Sequence, residues 1–221
     1  MFSLFRLLWS NAKRMSLYRI YHRFADLTMV PRETYVDNIE IVRMSLAVPG
    51  CIVECGVWRG GMSGGIASIL GASRNYFLLD SFEGLPPAKE VDGKTAIEWQ
   101  ADKTAPGYHD NCRAEESYAS AAMKRAGVEK FQLIKGWFSD TVSQLKLPET
   151  IALLRLDGDW YDSTMVCLDH LFDKVAPGGV IIIDDYFAWD GCSRAVHDFL
   201  SKRSAAERLR THGRVCYMIK V

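Results

Sequence analysis

What the chain lacks narrows its reading quickly. No two of its six cysteines, at 51, 55, 112, 167, 192 and 216, form a C-x-x-C pair, and a zinc site needs tighter Cys/His clustering than they offer. They read as buried, reduced thiols of a cytoplasmic protein. An excess of either charge is missing as well: 27 Lys+Arg balance 27 Asp+Glu, so nothing global calls for nucleic acid or an acidic surface. No run approaches the ~20 apolar residues that cross a membrane. Residues 1–9 lack the long apolar run and small-residue cleavage site of a signal peptide. The expectation is a cytoplasmic protein with no membrane span and no nucleic-acid partner. No internal repeat or low-complexity tract interrupts the 221 residues, and the 48% apolar content supplies a sizeable core.

One stretch organises the rest: Cys51-Ile52-Val53-Glu54-Cys55-Gly56-Val57-Trp58-Arg59-Gly60-Gly61-Met62-Ser63. It starts as a buried β run, turns through two adjacent glycines, and continues into a small-residue helical pattern over 64–70. Strand, glycine turn and helix build the ligand crevice of an open α/β sheet, at the carboxyl ends of its strands. Glycine lets backbone N–H groups approach a ligand, and the helix N-terminus adds partial positive charge. The spacing Glu-x-Gly-x-x-x-Gly-Gly is not G-x-G-x-x-G, which counts against a nicotinamide dinucleotide. It also lacks the Gly-Lys-Ser/Thr ending of a phosphate loop.

Apolar runs that end in acids mark further strands. The second, over 75–80, ends in Asp80, 26 residues beyond Glu54 and near the ~20-residue offset at which a carboxylate takes ribose hydroxyls in this fold class. The third covers 131–136, with Trp137-Phe138-Ser139-Asp140 at its carboxyl end. The fourth covers 151–156 and ends in Asp157-Gly158-Asp159; the fifth covers 180–183 and ends in Asp184-Asp185. Such unbroken runs suit parallel strands buried on both faces. Helices are expected over 3–25, 32–47, 115–126, 163–175 and 192–202, and two strands over 207–212 and 214–221 as an antiparallel finish.

The first of these helices carries Phe5, Leu8, Trp9, Leu17, Tyr18 and Tyr21 opposite a basic face. Packing on the domain or on a second subunit is favoured over an anionic membrane surface. In 32–47, Ile39, Ile41, Val42, Met44 and Leu46 supply the apolar face. Residues 88–111 are polar and irregular, a candidate lid in which Trp99, Tyr108 and His109 meet a substrate, with surface decoration as the alternative.

The fourth and fifth strands deliver Asp157, Asp184 and Asp185 to one sheet edge. If the two strands are neighbours, these carboxylates crowd together and raise one another's pKa values. No lysine or arginine lies beside Asp184-Asp185 in sequence to neutralise them. Hard oxygen ligands, with room left for water or substrate oxygens, describe a Mg2+ site. The alternative is that one or two of them cap helices or pair with distant basic residues. Asp159 competes with Asp157 for the role within its motif.

Five collinear stretches resemble the macrocin O-methyltransferase family, small S-adenosylmethionine-dependent enzymes that methylate sugar hydroxyls of antibiotics. They are Glu54 to Gly61, Asp80-Ser81-Phe82-Glu83-Gly84-Leu85-Pro86, Gly136 to Thr141, Leu156-Asp157-Gly158-Asp159-Trp160-Tyr161-Asp162-Ser163-Thr164, and Pro177-Gly178-Gly179 through Asp184-Asp185-Tyr186. The resemblance implies a single-domain class I methyltransferase fold, a Rossmann-like α/β sheet of seven strands with the last antiparallel. Residues 1–48 would form a helical N-terminal extension or lid and 49–221 the cofactor-binding domain. It implies that Glu54, Gly56 and Gly60 hold the methionine part of S-adenosyl-L-methionine and Asp80 the ribose, while Trp137, Phe138 and Ser139 surround the adenine. Trp58, Ser63, Ser81 and Asp157 complete the cofactor contacts, and Thr28-Met29 folds over from the N-terminal side. Asp157, Asp184 and Asp185 match the metal ligands, and Asp157 matches the general base.

The chemistry expected is methyl transfer to a hydroxyl of a sugar or glycosylated natural product that carries vicinal hydroxyls, by a homo-oligomer. A catechol-like phenol or small metabolite is the rival acceptor. An NAD-dependent sugar oxidoreductase is disfavoured by the missing G-x-G-x-x-G. A non-catalytic protein of the same fold is disfavoured by the intact acid set.

Overall fold

Helix α1 covers residues 14–24 of the 14–221 that the computed structural model describes. Leu17 and Phe24 are its buried positions and Tyr18 and Tyr21 are half-buried, so it packs on the domain. The expected apolar positions Phe5, Leu8 and Trp9 lie outside the described residues. Helix α2 (Arg32–Val42) starts after Pro31, whose carbonyl accepts the Tyr35 N–H at 2.8 Å. It does not continue to residue 47 as a single helix. A 3-10 stretch, Arg43–Ala47, replaces its last turn. The tighter winding rotates side chains off the α-helical stripe, and Met44 and Leu46 stand 44% and 50% exposed instead of extending the apolar face.

The remaining elements follow in order: β1 (Cys51–Cys55), α3 (Gly61–Leu70), β2 (Tyr76–Asp80), α4 (Lys94–Ala101), α5 (Glu116–Arg125), β3 (Phe131–Lys135), β4 (Ile151–Leu156), α6 (Tyr161–Leu171), β5 (Val175–Ile183), α7 (Asp190–Arg203), β6 (Arg210–His212) and β7 (Val215–Ile219). The strands form one seven-stranded sheet in the order β3-β2-β1-β4-β5-β7-β6, parallel except that β7 runs antiparallel to both of its neighbours. Alternate residues of the central strands feed two cores. Ile52, Leu78, Leu153 and Ile182 face α1, α2 and α3; Val53, Phe77, Leu154 and Ile181 face α6 and α7. Burial on both faces explains why these strands read as continuous apolar runs. Chain order reverses between β1 and β4, which places the ligand crevice above their carboxyl ends.

Two expectations are corrected here. Strand β5 starts at Val175 rather than at residue 180. Ile151 pairs with Val175 and Leu153 with Val180, so Pro177-Gly178-Gly179 lies in a bulge within the strand. Residues 88–111 are not an irregular loop. They contain a 3-10 turn at Glu90–Asp92, α4, and the first three residues of a positive-φ run, His109 to Cys112. Side-chain-to-backbone bonds hold them. Gln100 accepts the Ala88 N–H and donates to Pro86 O, and Asn111 donates to Leu85 O. Among the described residues, no helix is long and apolar enough to cross a membrane.

Candidate active site

The crevice depends on a close approach at Gly56. Its φ is +91°, and a Cβ there would lie 1.6 Å from the carbonyl oxygen of Asp157. Only glycine lets the turn after β1 press against the end of β4. Asp80, at the tip of β2, fastens the same turn. Its Oδ2 accepts the N–H groups of Val57 and Trp58 at 2.7 and 2.8 Å, and its Oδ1 accepts the Phe82 N–H at 2.7 Å. At the start of α3, a Cβ on Gly61 would sit 2.4 Å from Leu27 O. The missing side chain lets the segment after α1 lie across the crevice.

The result is a cleft of about 920 Å3. Thr28, Met29, Gly56, Trp58, Asp80, Ser81, Trp137, Phe138, Ser139 and Asp157 line it, together with Asp184 and Asp185. Glu54, Gly60 and Ser63 lie behind that wall. Glu54 is buried in β1 and accepts hydrogen bonds from the Ser63 hydroxyl and from Arg155. Gly60 packs on α5, where a Cβ would lie 2.7 Å from Ala119 Cα.

Strands β4 and β5 are paired, with Leu156 opposite Ile183, so the residues that follow them emerge side by side. Ligand atoms of Asp157, Asp184 and Asp185 all lie within 4.8 Å of one another. Asp159 stands apart from this trio. Its Oδ1 accepts the Trp189 indole N–H at 2.8 Å, and its own N–H donates to Asp185 Oδ2 at 3.0 Å.

No lysine or arginine lies beside Asp184-Asp185 in sequence, but a distant one serves the cluster, the alternative kept open above. Arg155 is 1% exposed, one residue before the end of β4. Its Nη1 donates to Glu54 Oε1 at 2.9 Å and to Asp157 Oδ2 at 2.8 Å. Its Nη2 lies 2.8 Å from Asp184 Oδ1, an ion pair without hydrogen-bond alignment. Asn38 of α2 donates to the same Asp184 oxygen at 3.0 Å. The signal was present in the sequence: a charge inside a strand buried on both faces needs partners.

One guanidinium does not balance Glu54, Asp157, Asp159, Asp184 and Asp185. Burial, with Asp184 adding to it, pushes the Asp157 carboxyl up against the pull of Arg155. Burial beside Asp159 and Asp157 pushes Asp185 well up. Burial and Asp157 push Asp159 up to about 8, and burial pushes Glu54 up to about 7. Converging hard oxygens with uncompensated negative charge fit a divalent cation such as Mg2+. A second group of possible ligands, Asp37, Glu40 and His212, is likewise bridged by an arginine, Arg14, 2.9 Å from Asp37 and 2.8 Å from Glu40, and its His212 Nε2 is spent on Glu40 at 2.7 Å.

Residues 25–219 match a family model described as macrocin-O-methyltransferase (TylF). Demethyldecarbamoylnovobiocin O-methyltransferase of Streptomyces niveus is 35% identical over 172 residues, which is 74% of this chain and 63% of that protein. The 8-demethyl-8-(2,3-dimethoxy-alpha-L-rhamnosyl)-tetracenomycin-C 4'-O-methyltransferase of Streptomyces olivaceus is 36% identical over 174 residues, 74% of this chain and 64% of that protein. The chain therefore spans somewhat less than two thirds of the length of these curated relatives. Among solved structures, the O-methyltransferase NovP superposes with a TM-score of 0.71 at 30% identity, covering 84% of this chain and 80% of NovP. The calicheamicin methyltransferase CalS11 shares the fold, with a TM-score of 0.60 at 23% identity over 91% of each chain.

Proposed function

The chain belongs to the macrocin O-methyltransferase family, and from that premise we propose that it moves a methyl group from S-adenosyl-L-methionine to a hydroxyl of a sugar or glycosylated natural product, with Mg2+ on its three acids. The observation that carries this reading is the junction at Gly56. It presses a glycine loop suited to the methyl donor against the strand tip that presents the acids. The names of two relatives speak for the acceptor class, one built on novobiocin and the other on a rhamnosyl tetracenomycin.

S-adenosylmethionine supplies a sulfonium methyl, a ready electrophile, which leaves the protein to align and deprotonate an oxygen. Asp157, Asp184 and Asp185 would hold Mg2+, which would supply Lewis-acid chemistry that makes an acceptor hydroxyl easier to deprotonate. Asp157 would take the hydroxyl proton on its carboxylate, whose Oδ2 is occupied by Arg155. On the donor side, Gly56 and Trp58 face the methionine end, with Glu54, Gly60 and Ser63 backing the loop. Asp80 and Ser81 meet the ribose, and Trp137, Phe138 and Ser139 meet the adenine. Thr28 and Met29 cover the donor and keep water out. Positioning of the two reactants supplies much of the rate.

A catechol-like phenol shares the vicinal oxygens, and the indoles Trp99 and Trp189 in the cleft wall favour it as a second acceptor class. Mass spectrometry of the purified protein should detect S-adenosylhomocysteine. A screen of sugars and phenols, with and without EDTA, should then give methylated product only where metal is present. Product formation undiminished by EDTA would refute the metal's part, and failure to bind S-adenosylmethionine would refute the whole reading.

A further inference from the structure

We propose that the end of the cleft beyond the acids is an acceptor subsite that grips a ring by its apolar face rather than by hydrogen bonds; this rests on the methyl-transfer reading above. Three indoles build it. Trp160, which leads into α6, is buried, while Trp99 on α4 and Trp189 before α7 are half-buried and line the cleft. The Trp160–Trp189, Trp99–Trp189 and Trp99–Trp160 centroids are 5.2, 5.5 and 6.3 Å apart, all tilted or edge-on.

Each indole N–H is already taken by the protein. Trp160 donates to Pro86 O at 2.9 Å, Trp99 to Pro106 O at 3.1 Å and Trp189 to Asp159 Oδ1 at 2.8 Å. Three polar side chains beside them already have partners. Asp92 accepts the Tyr161 and Lys89 N–H groups, and Lys89 pairs with Asp162 at 2.5 Å. What this wall offers a ligand is carbon: indole rings, Pro86, Pro87 and Phe187, the last 56% exposed. A hydroxyl-bearing ring face would lose its water here and gain no partner. An aromatic ring, or the C–H face of a deoxy sugar, meets no such penalty and gains stacking.

The wall is also tied to the acids. Asp159 accepts from Trp189 through its side chain and donates to Asp185 through its backbone. A ring lying on the indoles therefore has its vicinal oxygens beside the cation site. The acceptor chemistry assigned is a flat apolar ring face adjoining two vicinal oxygens.

Calorimetry on the protein loaded with S-adenosylhomocysteine and Mg2+ tests this with three probes: catechol, methyl α-L-rhamnopyranoside, and methyl α-L-mannopyranoside, which adds a hydroxyl at C6. Catechol or the rhamnoside should bind about tenfold tighter than the mannoside, as expected for one unpaired buried hydroxyl, and whichever binds identifies the ring as aromatic or deoxy sugar. Trp99→Ala should weaken that probe by about tenfold. Trp99→Phe should restore most of the affinity, and both variants should bind S-adenosylhomocysteine like the wild type, which shows that they fold. Equal affinity for rhamnoside and mannoside without catechol binding, or no probe bound by the loaded wild type, would overturn the proposal. So would unchanged affinity in Trp99→Ala, or a loss confined to Arg214→Ala, the lining cation without an ion pair among the described residues. Failure of the wild type to bind S-adenosylhomocysteine would instead sink the methyl-transfer reading.

Discussion

Replacing Arg155 with methionine keeps the length and apolar stem of the side chain and removes its charge. In the wild type the guanidinium is 1% exposed and lies within 2.9 Å of Glu54, Asp157 and Asp184. Glu54 is equally buried, so water cannot take over the pairing. Breaking a buried ion pair by removing one partner costs about 3–5 kcal/mol, because the remaining charge stays uncompensated. That is a large share of the 5–15 kcal/mol that holds a domain of ordinary stability together, roughly. Urea unfolding in EDTA at neutral pH should show a loss of about this size in Arg155→Met. Added Mg2+ should narrow the gap, since a cation on Asp157 and Asp184 supplies part of the missing charge. A loss below about 1 kcal/mol, the worth of an exposed pair, would refute the reasoning. So would a gap that metal leaves unchanged.

Other perturbations separate the parts of the site. Asp157→Asn or Asp184→Asn should lower methyl transfer by at least about 100-fold, the low end for a lost general base, while cofactor affinity by calorimetry stays near wild type; wild-type turnover would remove the metal and base roles. Asp80→Ala leaves the N–H groups of Val57, Trp58 and Phe82 without their acceptor, which should cost about 1–3 kcal/mol of stability and weaken cofactor binding; unchanged affinity would remove Asp80 from the donor site. Gly56→Ala places a methyl 1.6 Å from Asp157 O, so soluble, cofactor-competent protein from this variant would show that the junction is not tight. Glu54 has its pKa raised from an ordinary 4.5 to about 7 by burial. The folded protein holds that proton more firmly than the unfolded chain, so this stability is present below 4.5 and fades as pH rises to about 7. Glu54→Gln should flatten that slope in urea midpoints of the metal-free protein, and an identical slope would assign it to other groups.

Much of this architecture was legible in the chain because its central strands carry no alternation. Residues 51–55 and 151–156 lie under helices on both faces, so they read as apolar runs apart from the mutually paired Glu54 and Arg155. The acids were legible for a related reason: each run stops where the strand leaves the core. What stayed hidden depends on contacts between distant residues. Arg155 reaches Glu54 across 101 positions and meets Asp184 from another strand, so no sequence neighbour of either acid announces it. Residues 88–111 look irregular by composition, yet Gln100, Asn111 and Trp99 fasten them with bonds that leave no period in the sequence. The end of α2 departs from the sequence pattern because Met44 and Leu46 fit a continuing helical stripe, while the backbone tightens into a 3-10 turn from Arg43 onward.

The central claim is that a cation sits on the β4 and β5 tips beside the methyl donor. Anomalous diffraction from crystals grown with Mn2+ and S-adenosylhomocysteine tests it most directly. The account predicts one strong peak coordinated by Asp157, Asp184 and Asp185, with the thioether sulfur of the nucleoside in the same cleft. A structure with the nucleoside bound, Arg155 still bridging the acids and no peak among them would contradict it.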